Sequence, residues 1–168
     1  MAQLSQYIGA GAGSGATSGK PVQMVTSEYV NNSAHITSTS STTKVNSGLS
    51  ATIPPRNYSN SILIEFISTM YRSGSNAMMT ALYRTGTGLT SSYLIDYTTN
   101  YNTNYYHAWS YVSGQDWGGM KNTWIDSDIS SATASITYTM YYLATSTTNV
   151  YLAHQGHQIY LKLTEIQA

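Results

Sequence analysis

Two acidic residues, two histidines and a glycine-rich lysine segment are the places where residue type and spacing could do chemistry. Asp126 and Asp128 stand two residues apart in "WIDSD". Two carboxylates flanking a sugar would serve a glycosidase, and the same pair could ligate calcium. Between strand-like runs, however, Asp is also a turn residue, and that is the reading preferred. His154 and His157 straddle a glycine in "HQGH". One imidazole per chain could converge on the axis of a trimer and hold a metal, although an exposed turn explains the spacing more simply. "GAGAGSGATSGK", residues 9–20, resembles a phosphate loop only in composition. Gly13 to Gly19 is one residue too long for the spacing, and Pro21 stands where a hydroxyl is needed. There is no G-x-S-x-G elbow, and no Ser, His and Asp spacing favours a triad. No cofactor is implied and no metal is assigned.

The aromatic residues carry the stronger signal. Residues 98–112, "TTNYNTNYYHAWSYV", put Tyr101, Tyr105, His107, Trp109 and Tyr111 on odd positions and Asn100, Asn102, Asn104 and Ser110 on even ones. Alternate side chains of a strand point to opposite faces, so this stretch predicts a half-buried strand. Sugars stack their C–H faces on rings and bond their hydroxyls to amides. Tyr106, Trp117, Trp124 and Asn122 are therefore the candidate glycan or receptor contacts, with Trp117 placed in a glycine loop, "SGQDWGGM". Tyr101, Tyr105, Trp109 and Tyr111, together with Phe66, Tyr138 and Met140, are assigned to the core or to a trimer interface.

Composition narrows the classes further. Charged residues make up 8% of the 168, against about 25% in ordinary globular chains. Seven basic and seven acidic residues balance, so nothing is available to neutralise a phosphate backbone and nucleic-acid binding is excluded. Cysteine is absent, which removes disulfides, thiolate catalysis and Cys-based zinc sites. No apolar run approaches the ~20 residues of a membrane-spanning helix, and "MAQLSQYIGAGAG" lacks the pattern of a secretion signal. So few charges protect a free monomer poorly against association, which predicts a surface buried against partners.

The elements that must position these residues read as strands. With 24 Ser, 23 Thr and 16 Tyr, the chain is built of strand and turn formers. Strand-like runs cover 21–30, 48–53, 61–72, 76–84, 91–98, 104–112, 134–144, 149–154 and 158–166, separated by Gly, Asn and Pro. Ile136, Tyr138, Met140 and Tyr142 share one face of their run, opposite Thr137, Thr139 and Tyr141. No helical stripe with caps is found. The fold class is all-β, an antiparallel β-sandwich or jelly roll. Residues 1–20 stand apart as an extended Gly/Ala/Ser-rich arm, its apolar patch Leu4, Tyr7 and Ile8 serving as the anchor. Residues 21–168 form the sandwich.

Several stretches also resemble a known family. "GKPVQMV", then "KVNSGLSATIPPRNYSNSILIEFISTMYRS", then a closing "IYLKLTEIQA" resemble the small β-sandwich domains of tailed-bacteriophage virion proteins, such as the heads of tail fibres. The matching patterns are G-x-x-x-Q-x-V at Gly19 to Val25, S-G-L-S-x-x-I-x-P at Ser47 to Pro55, Tyr83-Arg84, and I-x-L-x-x-x-E-I at Ile159 to Ile166. The likeness spans about 19–168; residues 100–125 match nothing in it.

The resemblance implies a non-enzymatic virion structural protein, made in the host cytoplasm and displayed as a homotrimer on the particle exterior. Its arm would join other virion proteins of the tail, baseplate or capsid, and its loops would touch the host surface, including its glycans. A tail fibre or tip is the first reading. The alternative is a capsid decoration protein, a cement or head fibre, because the chain has no shaft and an arm of 20 residues spans at most about 60–70 Å. A free lectin is the third.

Overall fold

A computed structural model describes residues 3–7, 19–30, 36–38, 44–72, 78–96, 116–144, 150–152 and 158–168. These form eleven strands: β1 (Gln3–Tyr7), β2 (Pro21–Val30), β3 (Ile36–Ser38), β4 (Val45–Ile53), β5 (Ser61–Arg72), β6 (Met78–Gly86), β7 (Ser92–Asp96), β8 (Asp116–Asp126), β9 (Ile136–Ala144), β10 (Val150–Leu152) and β11 (Gln158–Ile166). Among the described residues there is no helix. Seven strands make one sheet and four the other, and every pairing is antiparallel.

The larger sheet is simpler than its strand number. Val150, Tyr151 and Leu152 of β10 pair with Arg72, Tyr71 and Met70 of β5. β11 then continues along the same edge of β5, from Tyr160 opposite Ile67 to Ile166 opposite Ser61. On their other side, β11 pairs with β2 and β10 with β3. Thus β2 and β3 form one interrupted row and β11 and β10 another. The sheet has five rows: β1, β2 with β3, β11 with β10, β5, and β8. The smaller sheet runs β4-β9-β6-β7.

Alternation closes these sheets over one core. Even positions of β5 (Ile62, Ile64, Phe66) and odd positions of β11 (Ile159, Leu161, Leu163) are fully buried, and so are Leu49 and Ile53 on β4 and Ile136, Tyr138, Met140 and Tyr142 on β9. They join one cluster. Burying each such side chain stabilises by about 1.5–3 kcal/mol, and a register slip by one residue would turn a whole row to solvent. Phe66, Tyr138 and Met140 all belong to this core.

Two features depart from the sequence-based expectation. "SGQDWGG" was expected as a connector, yet Asp116–Asp126 pairs with β5 along almost its whole length, Ile62 opposite Asp126 through Arg72 opposite Asp116. Gly118 and Gly119 lie inside that strand, because pairing with a long central neighbour outweighs glycine's weak strand preference. Within the expected arm, Gln3–Tyr7 pairs along β2, from Gln3 opposite Glu28 to Tyr7 opposite Met24. Leu4 and Tyr7 thus lie on an edge strand. Ile8 and most of the glycine-rich segment fall outside the described residues.

Candidate functional site

Each motif that carries the phage-domain resemblance has a specific structural task. Glu165, fully buried on β11, gathers five hydrogen bonds. Its Oε2 accepts from Gln23 Nε2 at 2.6 Å and Arg56 N at 3.0 Å. Its Oε1 accepts from Asn60 Nδ2 at 2.6 Å and from the backbone of Arg56 and Asn57, both at 3.1 Å. Gln23 also donates to the Pro54 carbonyl, and Gly19 N donates to the Gln167 carbonyl at 2.7 Å. Through Gln23, Pro54 and Glu165 the first, second and last motifs are joined at one carboxylate, which secures the 54–60 loop. Gly48 sits at φ +74° where the register between β4 and β9 shifts. Ser47 Oγ donates there to the Met140 carbonyl at 2.7 Å.

The acidic pair is likewise committed. Asp126 is 5% exposed and accepts from Arg84 Nη1 at 2.8 and 3.0 Å, from the Tyr138 hydroxyl at 2.8 Å and from Asp128 N at 3.2 Å. The Asp128 carboxylate is exposed, 3.8 Å from Arg84 Nη2. One acid is thus locked in a buried ion pair while its own turn presents the other to water. Burial, then the neighbouring Asp126 charge, raises the Tyr138 phenol far above its ordinary value, so it stays a donor. Burial raises Tyr142 as well.

The outer face of the smaller sheet holds an aromatic cluster that sequence reasoning did not find. Tyr83 on β6 lies directly opposite Tyr93 on β7, with ring centroids 4.7 Å apart. Tyr141 on β9 reaches both edge-on, at 6.1 and 5.8 Å. A register shift between Leu82 and Tyr83 creates this arrangement. Without it Tyr83 would oppose Leu94, which packs on the core instead. Bulges commonly re-aim a side chain in this way. Lys44 Nζ lies 3.9 Å from the Tyr93 ring centre. All three rings are partly exposed, and Thr137, Thr139 and Thr85 share their face. Thr52 and Thr137 bond hydroxyl to hydroxyl at 2.8 Å beside them. The surface thus combines the apolar faces of three rings with the hydroxyls of neighbouring threonines, groups that stack and hydrogen-bond respectively. The available signal was Tyr141, the one ring on the threonine face of its strand.

The candidate contacts are placed differently from the expectation. Trp124 does not stand on the surface: it is half-buried and packs against the core, opposite Ile64 in the register. Asn122 is on the same inward side, opposite Phe66, with its amide nitrogen buried and unpaired among the described residues. Both follow from the parity of β8, in which Lys121, Thr123 and Ile125 are the exposed positions. Trp117 belongs to β8, opposite Tyr71, rather than to a glycine loop. Tyr101, Tyr105, Tyr106, Trp109, Tyr111, His154 and His157 lie outside the described residues. Comparison with known protein families and with curated proteins finds no match.

Proposed function

We propose that this chain is a non-enzymatic structural protein of a tailed-phage virion, a trimeric sandwich displayed on the particle exterior as a tail fibre or tip. Its tyrosine face touches the host surface, including glycans, and its first residues join it to the particle. The observation that carries this reading is the work done by the motif residues. Gln23 joins the buried Glu165 carboxylate to the Pro54 carbonyl, Gly19 bonds the chain end at Gln167, Gly48 makes the bulge, and Arg84 holds Asp126. A pattern so tied to internal architecture is what a shared domain design would keep.

The strand order supports reading the sandwich as a jelly roll. The pairs β6·β7, β5·β8, β4·β9 and β2·β11 nest one outside the next along the chain, as in a single long hairpin rolled over two sheets. Viral capsid and lectin domains use this architecture. It serves the decoration-protein alternative equally, and copy number separates the two. Labelled protein at a few sites on the tail supports the fibre; hundreds of copies over the shell would replace it with decoration.

Two experiments test the reading. Removal of residues 1–18 should leave a folded trimer that no longer joins the particle. Incorporation of the truncated chain would overturn the anchoring role. On a glycan array, Tyr141→Ser should abolish binding by the intact chain. Binding unaffected by that change, or no binding by the parent, would remove the sugar contact.

A further inference from the structure

The outer face of the larger sheet has a different character from the tyrosine face. Between β2, β11 and β5, at the end marked by Gly19 and Pro21, it is hollowed into a cavity of about 480 Å³ that opens to solvent. Small-molecule sites occupy about 300–1,000 Å³. Val22, Met24, Leu63 and Ile166 supply aliphatic wall, and most of the lining is apolar. Thr164 also lines it, with its hydroxyl buried and unpaired among the described residues.

Charge around this cavity is unbalanced. Glu65 and Lys162 face one another across 2.5 Å within the lining. Lys121 Nζ lies 3.7 Å from the other Glu65 oxygen and is 61% exposed. Lys20, exposed, stands between the lining residues Gly19 and Pro21. Two lysines thus flank one carboxylate, and Lys20 adds a further positive charge at the Gly19–Pro21 end of the cavity. An ammonium has three donors, so the bond to Glu65 leaves Lys162 able to meet a second anion.

We propose that this cavity binds a small amphiphilic anion, its aliphatic body against Val22, Met24, Leu63 and Ile166 and its carboxylate head beside Lys162. Glu65 holds Lys162 over the apolar wall, and the excess of lysines selects the sign of the head. A turn of Thr164 about χ1, between staggered wells, would bring its hydroxyl to the same head. The site lies on the sheet opposite the tyrosine face and depends on neither trimer formation nor glycan contact.

The test uses the full chain with carbon-13 in its methionine methyls, the Met24 signal being assigned through Met24→Leu. Octanoate, octanol and acetate are titrated in turn. Octanoate should shift the Met24 methyl saturably, octanol about fivefold more weakly for want of the ion pair, and acetate not at all. Leu63→Trp, which fills the cavity, should abolish the octanoate response, and Lys162→Gln should equalise octanoate and octanol. If circular dichroism finds Leu63→Trp unfolded, Val22→Phe takes its place. A Met24 methyl that never saturates, equal binding of octanol by the parent chain, or an undiminished response in the filled variant would overturn the proposal.

Discussion

Replacement of Glu165 by Gln should be among the most damaging conservative changes in the chain. The carboxylate is fully buried and accepts five hydrogen bonds, two of them from side-chain amides at 2.6 Å. A Gln keeps one acceptor oxygen and turns the other position into a donor. With its NH2 in place of Oε2, it confronts Gln23 Nε2 and Arg56 N; in place of Oε1, it confronts Asn60 Nδ2 and two backbone N–H groups. Gln23 cannot flip without losing its bond to the Pro54 carbonyl. Each charge-assisted bond contributes about 1.5–3 kcal/mol, and an unpaired buried donor costs a further share. The expected loss is about 3–5 kcal/mol. At about 2–4 °C per kcal/mol for a chain of this length, the melting temperature should fall by about 6–20 °C. Urea unfolding followed by tryptophan fluorescence would measure it, with the m-value unchanged. A loss below about 1 kcal/mol would refute the view that this carboxylate organises the 54–60 loop.

Three further outcomes follow from the same geometry. Gly88 has φ +84° and a Cβ there would stand 2.1 Å from the Ser131 carbonyl oxygen, whereas Gly48, at φ +74°, has open space around it. Calorimetry should therefore find Gly88→Ala costing about 3 kcal/mol or more and Gly48→Ala only about 1–2 kcal/mol, the left-handed strain alone. Tyr138→Phe should cost about 1–3 kcal/mol in urea unfolding by leaving a buried Asp126 oxygen short of one donor. That cost should shrink in an Asp126→Asn background, where the partner has already changed. The bond from Lys162, with the charges of both lysines, holds Glu65 below its ordinary value of 4.5 despite opposing desolvation. A lowered folded-state value contributes stability that is present at neutral pH and lost as pH falls below that ordinary value. Thermal melts of the parent and Glu65→Gln should thus differ at pH 7 and converge towards pH 3; a gap constant across that range would refute the ion cluster's role.

Much of the strand content was legible because it depends on alternation. The runs 21–30, 61–72 and 158–166 were read with the bounds that β2, β5 and β11 have. β8 was not, since its glycines and Asp116 imitate a turn and only the eleven-residue register with β5 makes them strand. Trp124 and Asn122 were misplaced for the same reason: with no strand recognised there, no parity could send them inward. The tyrosine cluster was hidden more deeply. Tyr83, Tyr93 and Tyr141 come from three strands, and their meeting depends on one shifted residue pair in the β6·β7 register.

By itself, then, the order of residues determined the all-β class, most strand positions, and the faces of β9 and β11 that would be buried. Those properties live in local alternation, which any stretch of chain carries within itself. Tertiary structure alone decided which strands became neighbours, that Glu165 would meet Gln23 across 142 positions, that Arg84 would neutralise Asp126, and that three scattered tyrosines would share a surface. These depend on register between distant strands, set when one core satisfies every buried row at once.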